Sequence, residues 1–301
     1  MSVPEPIQYY DRHSRTVKTE QIYGEGWLRW AYGTAPGRLG VEALVKRAWF
    51  SHWYGWRMNR PASAKKVLPF IVDYGVDVDE FARPPLSFKT FNEFFYRTLK
   101  PGARPVAEGG GVAVLPADGR HLVFPDAEAS AGFYVKGARF TPAELLGDAA
   151  LGAEFAGGSL VISRLCPVDY HRFHFPVAGV PGEPELINGW LYSVSPVALR
   201  RNVRYLVQNK RVRTVVDSPE FGRVAVVEIG ATCVGSIGQE FVPGRAVAKG
   251  EAKGWFAFGG SCVATVFQRG RIRFDADLVE QSARHIESYA RMGERLGVAT
   301  H

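Results

Sequence analysis

Apolar positions along this 301-residue chain change their spacing near residue 110. Before that point the period is helical. Over residues 39–56, Val41, Leu44, Val45, Ala48, Trp49, Trp53 and Trp56 recur every three to four positions, which predicts one amphipathic helix. Lys46, Arg47 and Arg57 fall off that stripe or at its end. A weaker helical pattern covers residues 63–73, where Pro69 is placed to break or kink it. Another covers residues 90–99, with Phe91, Phe94, Phe95 and Leu99 on one face.

Beyond residue 110 the apolar runs are short, β-rich and separated by Gly, Pro and Asn. Residues 160–163, 186–194, 212–216, 223–229 and 264–267 read as strands, and their spacing suggests an antiparallel sandwich or barrel rather than βαβ units. A closing helix is predicted over residues 276–296, carrying Leu278, Ile286, Tyr289 and Met292. The expectation is an α+β fold. A helical, aromatic-rich region (residues 1–105) packs on a β-rich, sandwich- or barrel-like catalytic domain (residues 106–301), with residues 101–111 as linker and a helix at the C-terminus.

Composition sharpens this outline. A hydrophobic fraction of 46% fits an ordinary folded protein, and a formal charge of +7 points to an anionic partner, either nucleic acid or an anionic membrane surface. No nucleic-acid reading motif accompanies the charge, so nucleic acid is set aside. Five of the seven tryptophans (Trp27, Trp30, Trp49, Trp53 and Trp56) lie in the first hundred residues among basic side chains. That is the make-up of an interfacial membrane contact, and equally of an aromatic face packed on the main domain. The polar first fifteen residues show no secretory signal, and no apolar run is long enough to span a bilayer, so membrane contact would be peripheral. Cys166, Cys233 and Cys262 are widely spaced and odd in number, which suits a reducing cytoplasm.

Three places could carry chemistry. In Gly259-Gly260-Ser261-Cys262 a serine follows two glycines at the start of a strand-like run. Its Oγ can attack the preceding carbonyl, and glycine permits the strained backbone that this needs. Asp118 sits in a Pro/Gly-framed turn, Pro116-Ala117-Asp118-Gly119, which is also ordinary turn chemistry. The segment from Arg164 to Pro176 concentrates His171, His174, Asp169, Tyr170 and two arginines. A metal on Cys166, Asp169, His171 and His174 would match no common zinc spacing, so none is expected. There is no G-x-S-x-G elbow, P-loop or dinucleotide fingerprint.

Phe91-Asn92-Glu93-Phe94-Phe95-Tyr96-Arg97, Pro116-Ala117-Asp118-Gly119, Tyr170-His171-Arg172-Phe173-His174-Phe175-Pro176, residues 227–237 and residues 249–261 occur in the order found in phosphatidylserine decarboxylases, with a weaker echo at Arg291-Met292-Gly293-Glu294. The chain resembles that family of self-processing pyruvoyl enzymes. It departs in Cys262, where a threonine or other small residue is usual, and in Asn209-Lys210-Arg211, where Asn-Glu-Arg is common.

The resemblance implies that Asp118, His174 and Ser261 form a self-cleavage triad acting between Gly260 and Ser261. It also implies that Ser261 becomes a pyruvoyl cofactor forming a Schiff base with the substrate amine, and that His171 donates the proton at Cα. The products would be a β chain (residues 1–260) and an α chain from Ser261, with room for a homodimer. The substrate would be phosphatidylserine at the cytoplasmic face of a membrane. Decarboxylation of a soluble amino acid, or a non-catalytic lipid-binding relative, are the alternatives that the residues leave open.

Overall fold

Residues 6–126, 140–232, 236–259 and 261–300 are described by the computed structural model, so Gly260 and Cys233 lie outside the described residues. Apolar side chains on both faces of its central strands organise the molecule around a ten-stranded sheet. Along one path its strands are Thr16–Thr19, Gln8–Asp11, Glu287–Ala290, Gly119–Phe124, Ser159–Leu165, Ser261–Phe267, Gly222–Ile229, Arg211–Ser218 and Val180–Pro181, and Glu185–Ile187 also pairs with Arg211–Ser218. Neighbours are antiparallel except Gln8–Asp11, which runs parallel to Glu287–Ala290.

Because strand side chains alternate, this sheet buries two separate cores. Leu122, Ile162, Ala225, Val227, Cys262 and Ala264 face a helical layer that contributes Leu28, Tyr32, Val41, Leu145 and Leu199. Val123, Val161, Val224, Val226, Val263 and Phe267 face the other way, onto Phe173, Phe175, Phe256, Phe274 and Leu278. That second cover comes from two three-stranded sheets and the helix Ala276–Ala283. One small sheet joins Ile237–Gln239, Ala252–Phe256 and Arg172–His174; the other joins Ile272–Phe274, Arg295–Ala299 and Val112–Val114. The fold is α+β, in three layers.

Several elements differ from the sequence expectation. The stripe over residues 39–56 is three elements: a helix Ala35–Gly40, a π-helical turn Val41–Val45 and a helix Ala48–Met58. The break falls at Arg47, whose backbone is extended (φ −77°, ψ 141°). Lys46 causes it. Its carbonyl accepts from Leu191 N–H, and its ammonium is drawn inward onto Glu42, the Tyr192 hydroxyl (3.0 Å) and the Trp190 face. Pro69 does not break its helix, because Val67–Tyr74 begins only two residues earlier, where a missing N–H costs nothing. The helix after Thr90 is short, Phe91–Phe95, and the run over residues 186–194 keeps strand structure only at Glu185–Ile187.

The closing helix stops at Ala283 instead of running to residue 296. His285 adopts φ 61°, His285 N–H bonds to Ser282 O and Ile286 N–H to Gln281 O, so a Schellman motif ends the helix. The chain then forms Glu287–Ala290 and Arg295–Ala299, both strands. Two further strands, Gln8–Asp11 and Thr16–Thr19, edge the large sheet, so the first hundred residues are not wholly helical. The stretch over residues 101–111 is pinned to the body: Arg104 bonds Asp118, and Ala107 N–H bonds Gly293 O.

Candidate active site

Ser261 opens the strand Ser261–Phe267, paired with Leu165 on one side. It shares its face with Val263 and Phe267, beneath the small sheet that carries Phe173 and Phe256. The side chain is fully buried, yet Oγ has no hydrogen-bond partner among the described residues. A buried hydroxyl normally finds one, because leaving it unpaired costs about 1–3 kcal/mol. Just upstream, Gly259 holds φ at 136°, a backbone conformation that side-chain-bearing residues rarely adopt. Phe258 is anchored by its N–H on Asn92 Oδ1 (2.9 Å) and by aromatic contacts with Phe91, Phe95 and Tyr54.

His171 belongs to the same neighbourhood. Its ring lies 3.9 Å, centroid to centroid, from Phe95, which also touches Phe258 at 4.9 Å. Nδ1 bonds the Asp169 carbonyl at 3.0 Å, while Nε2 has no partner among the described residues. Burial pushes its pKa down to about 3; the Arg97 charge adds to that, and the Asp169 and Gly259 backbone opposes it. The ring is therefore neutral near pH 7, with its proton on Nδ1 and a free lone pair on Nε2.

His174 lies three residues further along, at the end of the strand Arg172–His174, where its N–H bonds Pro116 O at 2.7 Å and so draws in the Asp118 turn. Nδ1 bonds Gly250 O at 2.9 Å and Nε2 faces the Tyr170 hydroxyl at 3.4 Å. Burial lowers its pKa, against the Gly250 carbonyl and the charge of Asp118, which favour the imidazolium. Asp118 itself is gripped by Arg104, with Nε 2.9 Å from each carboxylate oxygen and Nη2 2.6 Å from Oδ2. Oδ1 also accepts Met292 N–H at 2.9 Å. The echo at residues 291–294 thus has a structural task, and Gly293 (φ 87°) lets that loop pass the Pro105 carbonyl, where a Cβ would stand 2.5 Å away.

The four residues therefore fall into two neighbouring groups, Asp118 with His174 and His171 with the segment leading to Ser261. No hydrogen bond links Asp118 to His174 or His174 to Ser261 among the described residues. Cys166 and Asp169 serve elsewhere: the thiol donates to Glu20 (2.6 Å), and Asp169 accepts from Arg120 (2.6 Å). Cys262 points to the opposite face, into the helix-side core, and burial pushes its thiol up to about 12, so it behaves as a small apolar residue. Around Lys210 the backbone is shared between Trp190 and Gly230, and its neighbour Asn209 bonds Tyr192 and Gly230.

The residues singled out from the sequence did not include Arg104, which holds Asp118, or Arg97. Arg104 lies in the stretch read as linker, and Arg97 ends a motif whose helical period is set by Phe91, Phe94 and Phe95. A cavity of about 390 Å³ reaches Phe258 and Gly259. Tyr23, Trp27, Phe50 and Tyr54 of the helical layer line its apolar side, and Glu20, Arg164, Ser193 and Thr232 its polar end.

The structure thus holds a buried serine hydroxyl without a partner among the described residues, two positions after a glycine at positive φ, together with two buried histidines and an arginine-held aspartate. A family model for phosphatidylserine decarboxylase matches residues 91–298. Over 289 residues the chain is 45% identical to a phosphatidylserine decarboxylase proenzyme of Chlamydia muridarum, covering 96% of each chain. It is 41% identical over 293 residues to that of Fusobacterium nucleatum (97% of this chain, 98% of the relative). With that of Desulfitobacterium hafniense strain Y51 it shares 38% over 292 residues (97% and 98%). The chain belongs to the phosphatidylserine decarboxylase family, and it is a decarboxylase.

Proposed function

We propose that the chain is a proenzyme that cuts itself between Gly260 and Ser261, gains a pyruvoyl group at residue 261, and converts phosphatidylserine to phosphatidylethanolamine and CO2. The observation that carries this reading is the buried, unpartnered Ser261 Oγ behind Gly259 at φ 136°. The relatives named as proenzymes support it.

In the cleavage, Ser261 Oγ attacks the Gly260 carbonyl carbon while His174 takes the hydroxyl proton. Asp118 stabilises the resulting imidazolium through its charge. For His174 to act, Tyr170 must yield its place at Nε2. The peptide C–N bond breaks and an ester forms, freeing the Ser261 amine. Loss of the Ser261 Cα proton then expels the ester oxygen as a Gly260 carboxylate, leaving an unsaturated residue 261. Water replaces its nitrogen, ammonia departs, and a β chain (residues 1–260) and an α chain with a pyruvoyl terminus remain.

The residues present fit such a group. Ser261 and His171 offer unpaired polar atoms in a closed, largely apolar environment. When formed, the pyruvoyl carbonyl supplies an electron sink for the bond to the departing carboxylate. The chain's part is to move one proton. His171 hands that proton to Cα from Nε2 once CO2 has left, so the ring must be protonated in the loaded site.

For the lipid, the helical layer supplies the approach. Trp49, Trp53 and Trp56 are 57%, 46% and 55% exposed, so these three rings stand out from the body while Val41 packs into it. Arg57 lies over Trp53 and Arg60 over Trp56, which sets basic groups at the same surface. No helix among the described residues is long and apolar enough to cross a membrane, and we place the protein peripherally at the cytoplasmic leaflet. Purified protein given phosphatidylserine vesicles, and separately free serine, tests the substrate: CO2 is expected from the vesicles. Release from serine together with indifference to vesicles contradicts the lipid reading.

A further inference from the structure

Arg97 is a buried cation with almost nothing to bind. Its side chain is nearly inaccessible, and a guanidinium carries five N–H donors. Among the described residues it donates one long hydrogen bond, Nη1 to Phe94 O at 3.4 Å, and Nε has no partner. The group lies over the rings of Phe81 (4.6 Å) and Phe94 (4.9 Å), which offset some of the lost hydration. Neither Asp118 nor Glu80, whose charges act on it, is hydrogen-bonded to it. Asp118 is taken by Arg104, and Glu80 by Arg104 and Arg291.

Buried arginines elsewhere in this chain are treated differently. Arg164 is met by two carboxylates, and Arg211 by four backbone carbonyls. Arg97 follows two residues that touch this neighbourhood: Tyr96, just before it, accepts Arg172 Nε through its carbonyl, and Phe95, two residues back, lies against the His171 ring at 3.9 Å with a 36° tilt. A buried guanidinium with free donors beside a site is a receptor for an oxyanion.

Two anions belong to the substrate of the proposed reaction. The carboxylate loses its charge as CO2 leaves, so a cation fixed on it would stabilise the starting state more than the transition state. The phosphodiester keeps its charge throughout, and holding it orients the headgroup without that penalty. We propose that Arg97 binds the phosphodiester of the substrate headgroup through the guanidinium donors that Phe94 O leaves unused, Nε among them. This deepens the reading of the chain as a phospholipid decarboxylase and rests on it.

The test uses full-length chain carrying Ser261→Ala, which cannot self-process, titrated calorimetrically with glycerophosphoserine and with free serine. Arg97→Met on that background is expected to weaken glycerophosphoserine binding about tenfold or more, and Arg97→Lys by less, while serine binding stays as it was. The Arg97→Met melting temperature should hold or rise, because an apolar side chain relieves an unpaired buried charge. With Ser261 intact, Arg97→Met should still cleave.

Undiminished binding in Arg97→Met, or no binding by the Ser261→Ala chain itself, overturns the proposal. Equal loss for both ligands would assign Arg97 to the carboxylate, and blocked cleavage with intact binding would assign it to the Gly260 carboxylate; either contradicts the proposal. A fall in melting temperature with loss of both ligands would make the residue structural. Failure of the unsubstituted chain to cleave defeats the pyruvoyl reading separately, and leaves the binding comparison to decide Arg97.

Discussion

His171 and His174 are three residues apart and both buried, but their hydrogen bonds give them different work. His171 has a free Nε2 and a neutral ring beside the Phe258-Gly259 segment; His174 is tied at both nitrogens and feels Asp118. His171→Ala is therefore expected to leave self-cleavage intact and reduce turnover by about two orders of magnitude or more, the usual worth of a general acid–base group. Mass spectrometry and a CO2 assay on one preparation check both halves, and an uncleaved product would move His171 into the cleavage step. Burial also holds His121 near a pKa of about 3, well below the unfolded value of 6.5. A group with a depressed folded pKa contributes stability above the unfolded pKa and loses it as pH falls towards the folded one. Each unit below 6.5 then costs up to about 1.4 kcal/mol per buried histidine. His121→Gln should flatten the fall in melting temperature between pH 6.5 and 4 relative to the unsubstituted chain, and an unchanged slope would refute this.

The helix Ala48–Met58 turns its tryptophans outward while Phe50 and Tyr54 line the cavity that ends at Gly259. One element thus joins an exposed tryptophan face to the cavity beside Gly259. Replacing Trp49, Trp53 and Trp56 by Ala should reduce vesicle co-sedimentation more than tenfold, since burying each ring in lipid is worth about 1–2 kcal/mol. Because the rings are half exposed, the melting temperature should shift little, and unchanged sedimentation would remove the helix from the membrane contact. Strands over residues 160–163, 212–216, 223–229 and 264–267 were legible because continuous apolar runs match strands buried on both faces. The break at Arg47 was not, since Lys46 is drawn inward by Trp190 and Tyr192, far away in sequence. Nor was the end of the last helix, because His285 carries no sequence signal for a left-handed backbone, and Tyr289 and Met292 fit a helical period while belonging to a strand and a loop.

Across the whole molecule, residues more than a hundred positions apart hold the Asp118 turn, the histidine strand and the serine strand in place. The Asp118 turn is held by Arg104 and Met292, the histidine strand pairs with Ala252–Phe256, and the serine strand is clamped between two central strands. Ser261, Asp118 and the histidines were legible as residues because the ordered motifs name them. Arg104 and Arg97 were not, since their significance lies in what they bond, or fail to bond, after folding. The central claim is that the chain breaks itself at Ser261, and the intact mass of freshly purified protein addresses it directly. Two chains dividing after Gly260 are expected, the C-terminal one lighter than its sequence by one ammonia, with Ser261→Ala remaining whole. An undivided chain of 33.2 kDa that stays undivided on incubation would contradict the account.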